Sequence, residues 1–372
     1  MDKVRKQRKE ANIGGKEGIV LSGLIAIWRT VVFSTVFMVL VFITFMLGVV
    51  FPAPAGAETI FATAVSVPAP FTNRLISFDS TTPGTIKTNI VITGLATGTN
   101  EAVIAIDFRP SNGKLYALTT DLTILRLYTI NTNTAVATQV GSAFNLDPAA
   151  QLGCVGFDID PVSDVIRVVT GINNASCPPG GGNNYTIIPD TAGVVNELPL
   201  AFNALDLNSG VIPDVEADAY SNNVSGATTT TLFGIDLSTL SLVTQGDPNP
   251  NDGQLFTIGL LGAAFPAFPA LVGFDISQSG RAFVSNSNGT TTSQFFTIDL
   301  TTGLLIFVGT IGSEPFITDI SAAPANNGSG GGGCAIGGPV QVKAGGTNVV
   351  VPLMLAFVIG LRVALKRKKY RQ

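Results

Sequence analysis

The stretch DIDPVSD, residues 158–164, gathers three carboxylates, Asp158, Asp160 and Asp164, within seven positions. Carboxylate oxygens are the hard donors that calcium prefers, so these three are candidate ligands should calcium bind, although no metal or cofactor is assigned. The stretch lacks the glycine and the distal glutamate of an EF-hand loop, so it offers donors without that loop's frame. Elsewhere aspartates recur singly. Asp107, Asp158, Asp218 and Asp275 each follow an apolar residue, and Asp319 follows Thr318, at the head of a similar motif, at spacings of 44 to 60 residues. An aspartate in such a place accepts backbone N–H groups, and its return in every repeat implies a shared architectural task more readily than catalysis.

Little other chemistry is on offer. The sequence has no histidine, which excludes Ser-His-Asp triads, Cys-His dyads and histidine-ligated transition-metal sites. Between residues 58 and 327 the only lysines are Lys87 and Lys114, and neither lies in a serine-lysine motif. Paired carboxylates could hydrolyse a glycosidic bond, but the scattered acids show no distinguishing spacing, and no catalytic residue is assigned. Two of the three cysteines, Cys154 and Cys177, flank one expected hairpin. In an exported chain they read as a disulfide closing a loop of roughly twenty residues and contributing about 3 kcal/mol; two unpaired buried thiols are the alternative. That pairing leaves Cys334 alone in the run GSGGGGCAIGG.

Charge and hydropathy say where the acids must be carried. The net charge of −4 conceals basic ends around residues 58–327, which hold seven basic and 22 acidic residues, a net of −15. So acidic a body argues against nucleic-acid binding, which needs clustered Lys and Arg. The basic ends fit membrane topology instead. Residues 31–51 form an apolar run preceded by KVRKQRK and followed by Ala55-Gly56-Ala57, a small-x-small signal-cleavage pattern. Residues 1–57 are thus a signal peptide, with an uncleaved signal anchor as the alternative; either way the body is exported. At the other end, residues 348–372 combine an apolar stretch from Val349 to Leu361 with the basic cluster KRKKYR, a transmembrane segment and cytoplasmic tail. Both apolar segments are expected to be helical.

The body is a repeat of strands. One unit runs apolar residue, aspartate, apolar residue, turn, second strand: AIDFRPSNGKLYALTT, GFDIDPVSDVIRVVTG, the stretch from Glu216, GFDISQSGRAFVSNSNG and the fragment ITDISAAP. A second unit, two alternating strands about an Asx or Thr/Gly turn, follows the first four and also stands alone at the start of the body, from Arg74. The chain therefore begins with the outer half of a repeat and ends with the inner half. This order predicts an all-β fold: a β-propeller of about five blades in residues 58–327, closed by a clasp between the first and last strands. A β-sandwich or an open solenoid is the alternative arrangement.

The strings VIAIDFRPSNGKLYALTT, LRLYTINTNTAVATQVGSAF, VGFDIDPVSDVIRVVT and FFTIDLTTGLLIFVGTIG resemble the bacterial domain-of-unknown-function 4394 family, over approximately residues 72–322. The resemblance implies a secreted or surface bacterial module without an established activity, often joined to a C-terminal sorting tail. The insertion NNASCPPGGGNN, which carries Cys177, departs from the family's usual wording. The tail from residue 328 is similar to bacterial C-terminal sorting signals. Residues 328–347 would be the Gly-rich linker, Gly333 and Cys334 the motif, and a sorting or processing membrane protease the partner. Glycine leaves such a segment extended and open to a protease.

The expected whole is an exported protein of the cell envelope or surface, anchored at least transiently in the membrane. Its propeller is expected to be a noncatalytic binding or structural module for an unknown surface ligand, with no nucleic-acid partner. The alternative is a carboxylate-dependent, calcium-assisted carbohydrate-active or hydrolytic propeller.

Overall fold

A computed structural model describes residues 56–325, apart from 67–69, 97–99, 147–154, 172–181, 247–248, 263–264, 266–270 and 288–291. The expected apolar helices, Ala55, Cys154, Cys177, Gly333 and Cys334 lie outside the described residues, and Ala57 is exposed at their edge. Among the described residues no helix is long and apolar enough to cross a membrane.

Twenty-one strands build five small sheets arranged as a five-bladed β-propeller. The first blade takes β1 (Thr59–Val65), β2 (Asn73–Asp79) and β3 (Thr82–Val91). The second is β4 (Ala102–Phe108), β5 (Leu115–Thr120), β6 (Leu125–Ile130) and β7 (Ala137–Phe144). The third is β8 (Val155–Ile159), β9 (Ile166–Thr170), β10 (Asn183–Ile187) and β11 (Val194–Asn196). In the fourth, β12 (Ala201–Phe202) runs parallel beside β16 (Gln254–Leu260), outside the meander of β13 (Val215–Tyr220), β14 (Leu232–Asp236) and β15 (Ser241–Gln245). The fifth is β17 (Leu271–Ile276), β18 (Ala282–Ser287), β19 (Gln294–Ile298) and β20 (Leu305–Thr310). The last strand, β21 (Ile317–Ala322), then pairs antiparallel with β1, Ile60 opposite Ala322, and becomes the innermost strand of the first sheet. The clasp expected from the order of the half-repeats is formed.

The burial pattern follows position within a blade. The inner strands neighbour one another in the order β21, β4, β8, β13, β17 and back to β21. Every residue of all five is buried, because each is covered on both faces by adjacent blades. The outer strands are the more exposed: β3 carries Thr85, Lys87, Thr88 and Asn89 in solvent, and in β20 Ile306 and Phe307 are themselves exposed. The hydrophobic core accordingly lies between blades. Separate clusters fill the seams between blades one and two, two and three, three and four, four and five, and five and one.

Tight turns fix the strand ends. In the turn 160–164 the Asp164 N–H donates to the Asp160 carbonyl (2.9 Å), and Asp164 has φ 57°. In the turn 299–303 the same bond joins Gly303 to Asp299 (2.8 Å), with Gly303 at φ 79°. A turn closed by one left-handed residue matches the twist of the flanking antiparallel strands.

Candidate functional site

The five recurring aspartates stand one to each inner strand: Asp107 on β4, Asp158 on β8, Asp218 on β13, Asp275 on β17 and Asp319 on β21. All are buried. Four of them bind the backbone of a neighbouring blade, Asp158 through the Tyr220 N–H of β13. Asp107 Oδ2 accepts from the Ile159 N–H of β8 (3.0 Å), and Asp319 Oδ2 accepts from the Ile106 N–H of β4 (2.9 Å). Asp275 Oδ2 accepts from the Ala322 N–H of β21. The architectural task expected from their recurrence is thus carried out as inter-blade stapling.

The staples do not use all the oxygens. Asp107, Asp158 and Asp275 each present an oxygen within 4.8 Å of the other two. The Ser321 hydroxyl reaches Asp107 Oδ1 at 2.9 Å and Asp275 Oδ2 at 3.3 Å, but its single proton can serve only one at a time. Asp158 Oδ1, Asp275 Oδ1 and both oxygens of Asp218 have no hydrogen-bond partner. Desolvation is the main force on this group. It holds Asp107 and Asp158 well above the usual carboxylate range, aided by the repulsion of neighbouring carboxylates. It likewise pushes Asp218 up to about 8 and Asp275 to about 6, and raises Asp319 well above its ordinary value.

The run DIDPVSD does not hold together as one site. Asp158 faces its fellow inner-strand acids, whereas Asp160 and Asp164 belong to the turn. Asp160 accepts from the N–H groups of Val162 (2.7 Å) and Ser163 (3.1 Å) and from the Ser163 hydroxyl (2.7 Å). Asp164 meets the Arg109 guanidinium through both oxygens and accepts from Ser111. Arg109 also binds Asp190 and the Tyr116 hydroxyl, so one guanidinium ties the second blade to two turns of the third. That charge holds Asp164 and Asp190 below the usual carboxylate range.

A cleft of about 630 Å³ opens between the β8–β9 turn and the β13–β14 loop. Its lining is rich in hydroxyls, from Thr228, Thr229, Thr230, Thr231 and Thr244, with the Gln245 amide and the rings of Tyr220 and Phe256. Asp160 is the one carboxylate among the lining residues. Beneath the cleft lies Arg167, 1% exposed. Its Nε donates to the Tyr220 hydroxyl (3.3 Å), Nη1 to Asn184 Oδ1 (2.7 Å) and Nη2 to Asn251 Oδ1. Gln245 donates to the same Asn184 oxygen (3.2 Å) and to the Pro250 carbonyl (2.8 Å). Among the described residues Arg167 forms no ion pair, although its charge favours the ionised form of Asp218. The sequence reading counted Arg167 only as net charge. Its signal was there, an arginine between Ile166 and Val168 in an otherwise apolar strand.

Among solved structures the chain is similar to a protein from Lactobacillus plantarum, at 12% identity and a TM-score of 0.34, over 72% of this chain and 99% of that one. It is also similar to AofleA from Arthrobotrys oligospora, at 14% identity and a TM-score of 0.40, over 71% and 74%. Likenesses at this level carry no argument about activity. No match was found among curated proteins. The family described as Domain of unknown function (DUF4394) matches residues 74–321, two thirds of the sequence and the propeller from β2 through β21 apart from Asn73 and Ala322, with β1 outside the match, and the chain belongs to that family.

Proposed function

We propose that this chain is an exported, envelope-anchored bacterial surface protein whose propeller is a noncatalytic binding module for a polar, uncharged ligand such as a glycan. The observation that carries this reading is the cleft lining. The threonine hydroxyls and the half-buried Phe256 ring are suited to a polyhydroxylated ligand, whose rings stack and whose hydroxyls exchange hydrogen bonds, over a floor formed by the buried Tyr220 and Gln245. Hydrolysis of a glycosidic bond by the common route needs two carboxylates flanking it. Among the described residues the cleft offers Asp160 alone, already engaged by its own turn. The segment 31–51 directs export, and the tail from residue 328, with Gly333 and Cys334, addresses the protein to a sorting protease that cuts before the apolar stretch 349–361.

The test is to apply the purified chain to a glycan array and, in parallel, to chromogenic glycoside and ester substrates with and without chelator. Saturable glycan binding without turnover, weakened at least tenfold by Phe256→Ala, is the expected result. Turnover that disappears in Asp→Asn variants would replace the binding reading with the hydrolytic one. Mass spectrometry of protein recovered from the native envelope tests the tail: an intact C-terminus at Gln372 rejects processing and leaves a plain membrane anchor.

A further inference from the structure

The axis of the propeller has a surplus of acceptors and a shortage of donors. Backbone N–H groups and one serine hydroxyl serve part of the carboxylate ring, and the remainder goes without. Two of the three converging acids, Asp158 and Asp275, each have a bare oxygen. On the neighbouring inner strand Asp218, 2% exposed, has two. A buried polar atom without a partner costs about 1–3 kcal/mol, and more when charged. Four such oxygens on adjoining inner strands are the complement of a positive charge. The Arg167 charge bears on Asp218, and its hydrogen bonds are directed elsewhere, to Tyr220, Asn184 and Asn251.

We propose that the axis binds one calcium-class divalent cation between Asp107, Asp158 and Asp275, with Asp218 as an adjoining negative charge. The donor set is all oxygen, and its carboxyls become anionic as a cation displaces their protons, which selects a hard cation and disfavours zinc or copper. Oxygens up to 4.8 Å apart suit an ion lying about 2.3–2.6 Å from each. The carboxylates are carried on backbone-fixed strands of three blades and cannot rearrange into a strict octahedron, so calcium's tolerant geometry suits them better than magnesium's. The ion would join the second, third and fifth blades where no strand ladder connects their sheets and the Asp107–Ile159 staple links the second to the third. This site shares only Asp158 with the turn acids, and it holds whether or not the cleft binds a glycan.

The test uses the full chain in detergent, stripped with chelator and checked for folding by circular dichroism. Titration calorimetry with calcium chloride and, separately, magnesium chloride reads affinity and stoichiometry, and a thermal melt reads the coupling to folding. One calcium per chain is expected, bound at least tenfold more tightly than magnesium, with a melting temperature several degrees higher in millimolar calcium. Asp275→Asn should weaken calcium at least tenfold. Asp218→Asn, which has no hydrogen bond to lose, should keep the fold and weaken calcium severalfold. Asp160→Asn and Asp164→Asn should leave affinity within twofold. A folded, stripped chain that takes up no calcium overturns the proposal, as does affinity unchanged in the folded Asp218→Asn protein. Calcium binding lost in Asp160→Asn or Asp164→Asn would place the ion in the turn and equally overturn it.

Discussion

The seam between the fifth and first blades and the seam between the third and fourth are made of different materials. At the first, Phe78 meets Phe295 edge-on (5.2 Å, 88°) and Phe295 stacks on Phe283 (5.6 Å, 16°), all three fully buried with Ile60, Ile76 and Ile320 around them. At the second, the apolar cluster shrinks to Val169, Leu200, Phe202, Val215, Val243 and Leu255, and a hydrogen-bonded arginine supplements it. Aromatic packing is strong and only loosely directional, so it suits the seam where two ends of the chain must meet and seal. Hydrogen bonds are directional, and buried ones are costly to leave unmade. They suit the seam beneath the cleft, where Tyr220 and Gln245 must be aimed. Closure falls to one side of the ring, and the proposed binding cleft lies on another.

The contrast should break most visibly at Phe295. Phe295→Ala removes the ring shared by both aromatic contacts and should cost about 3–5 kcal/mol in urea unfolding. A loss below about 1 kcal/mol would mean that this seam does not hold the ring closed. Arg167→Ala comes next. It strands the Tyr220 hydroxyl and the Asn251 amide oxygen, each costing about 1–3 kcal/mol, whereas Arg167→Met fills the space and should lose less while still weakening the cleft. If Arg167→Met were as stable as the wild type and bound ligand equally well, the two seams would not differ in kind.

The smallest effect belongs to the Arg109 clamp at the edge of the second and third blades. Arg109 lowers the folded-state pKa of Asp164 and Asp190, so the clamp stabilises above the unfolded aspartate value of about 3.9 and loses its contribution as pH falls through the folded values. Both acids are more than a third exposed, so solvent screening limits the effect to under about 1 kcal/mol. Unfolding of the wild type and of Arg109→Gln should therefore differ at pH 6 and converge toward pH 2. A constant gap would assign the cost to lost packing against Tyr116 instead.

Blades and clasp were legible in the sequence because each strand announces itself locally: alternation, turn residues, and a recurring aspartate whose position relative to the apolar residues hardly varies. The order of the half-repeats then left one economical way to close the ring. The fate of the acids was less legible. Asp158 and Asp160 differ by two positions and so share a strand face, but Asp160 falls at the strand end, where Val162 and Ser163 claim it. Asp107, Asp158 and Asp275 converge only after closure places strands 51 and 117 residues apart on one axis, a distance no local pattern encodes. Arg167 was missed for the converse reason. A charge inside an apolar strand is legible, but its partners, Asn184, Tyr220 and Asn251, come from two blades and carry no charge of their own.

The clasp has a mechanical consequence. Because β1 and β21 run antiparallel, the chain enters at Thr59 and leaves at Ala322 from the same end of the pair, and the Ala323 N–H donates to the Thr59 carbonyl at 2.8 Å. Tension between residues 58 and 323 is borne by the bonds of this one ladder in turn, beginning with that outermost one, so it peels the pair apart as a zipper opens and does not shear all its bonds together. The strand that shields the axis is also the first that a pull would remove.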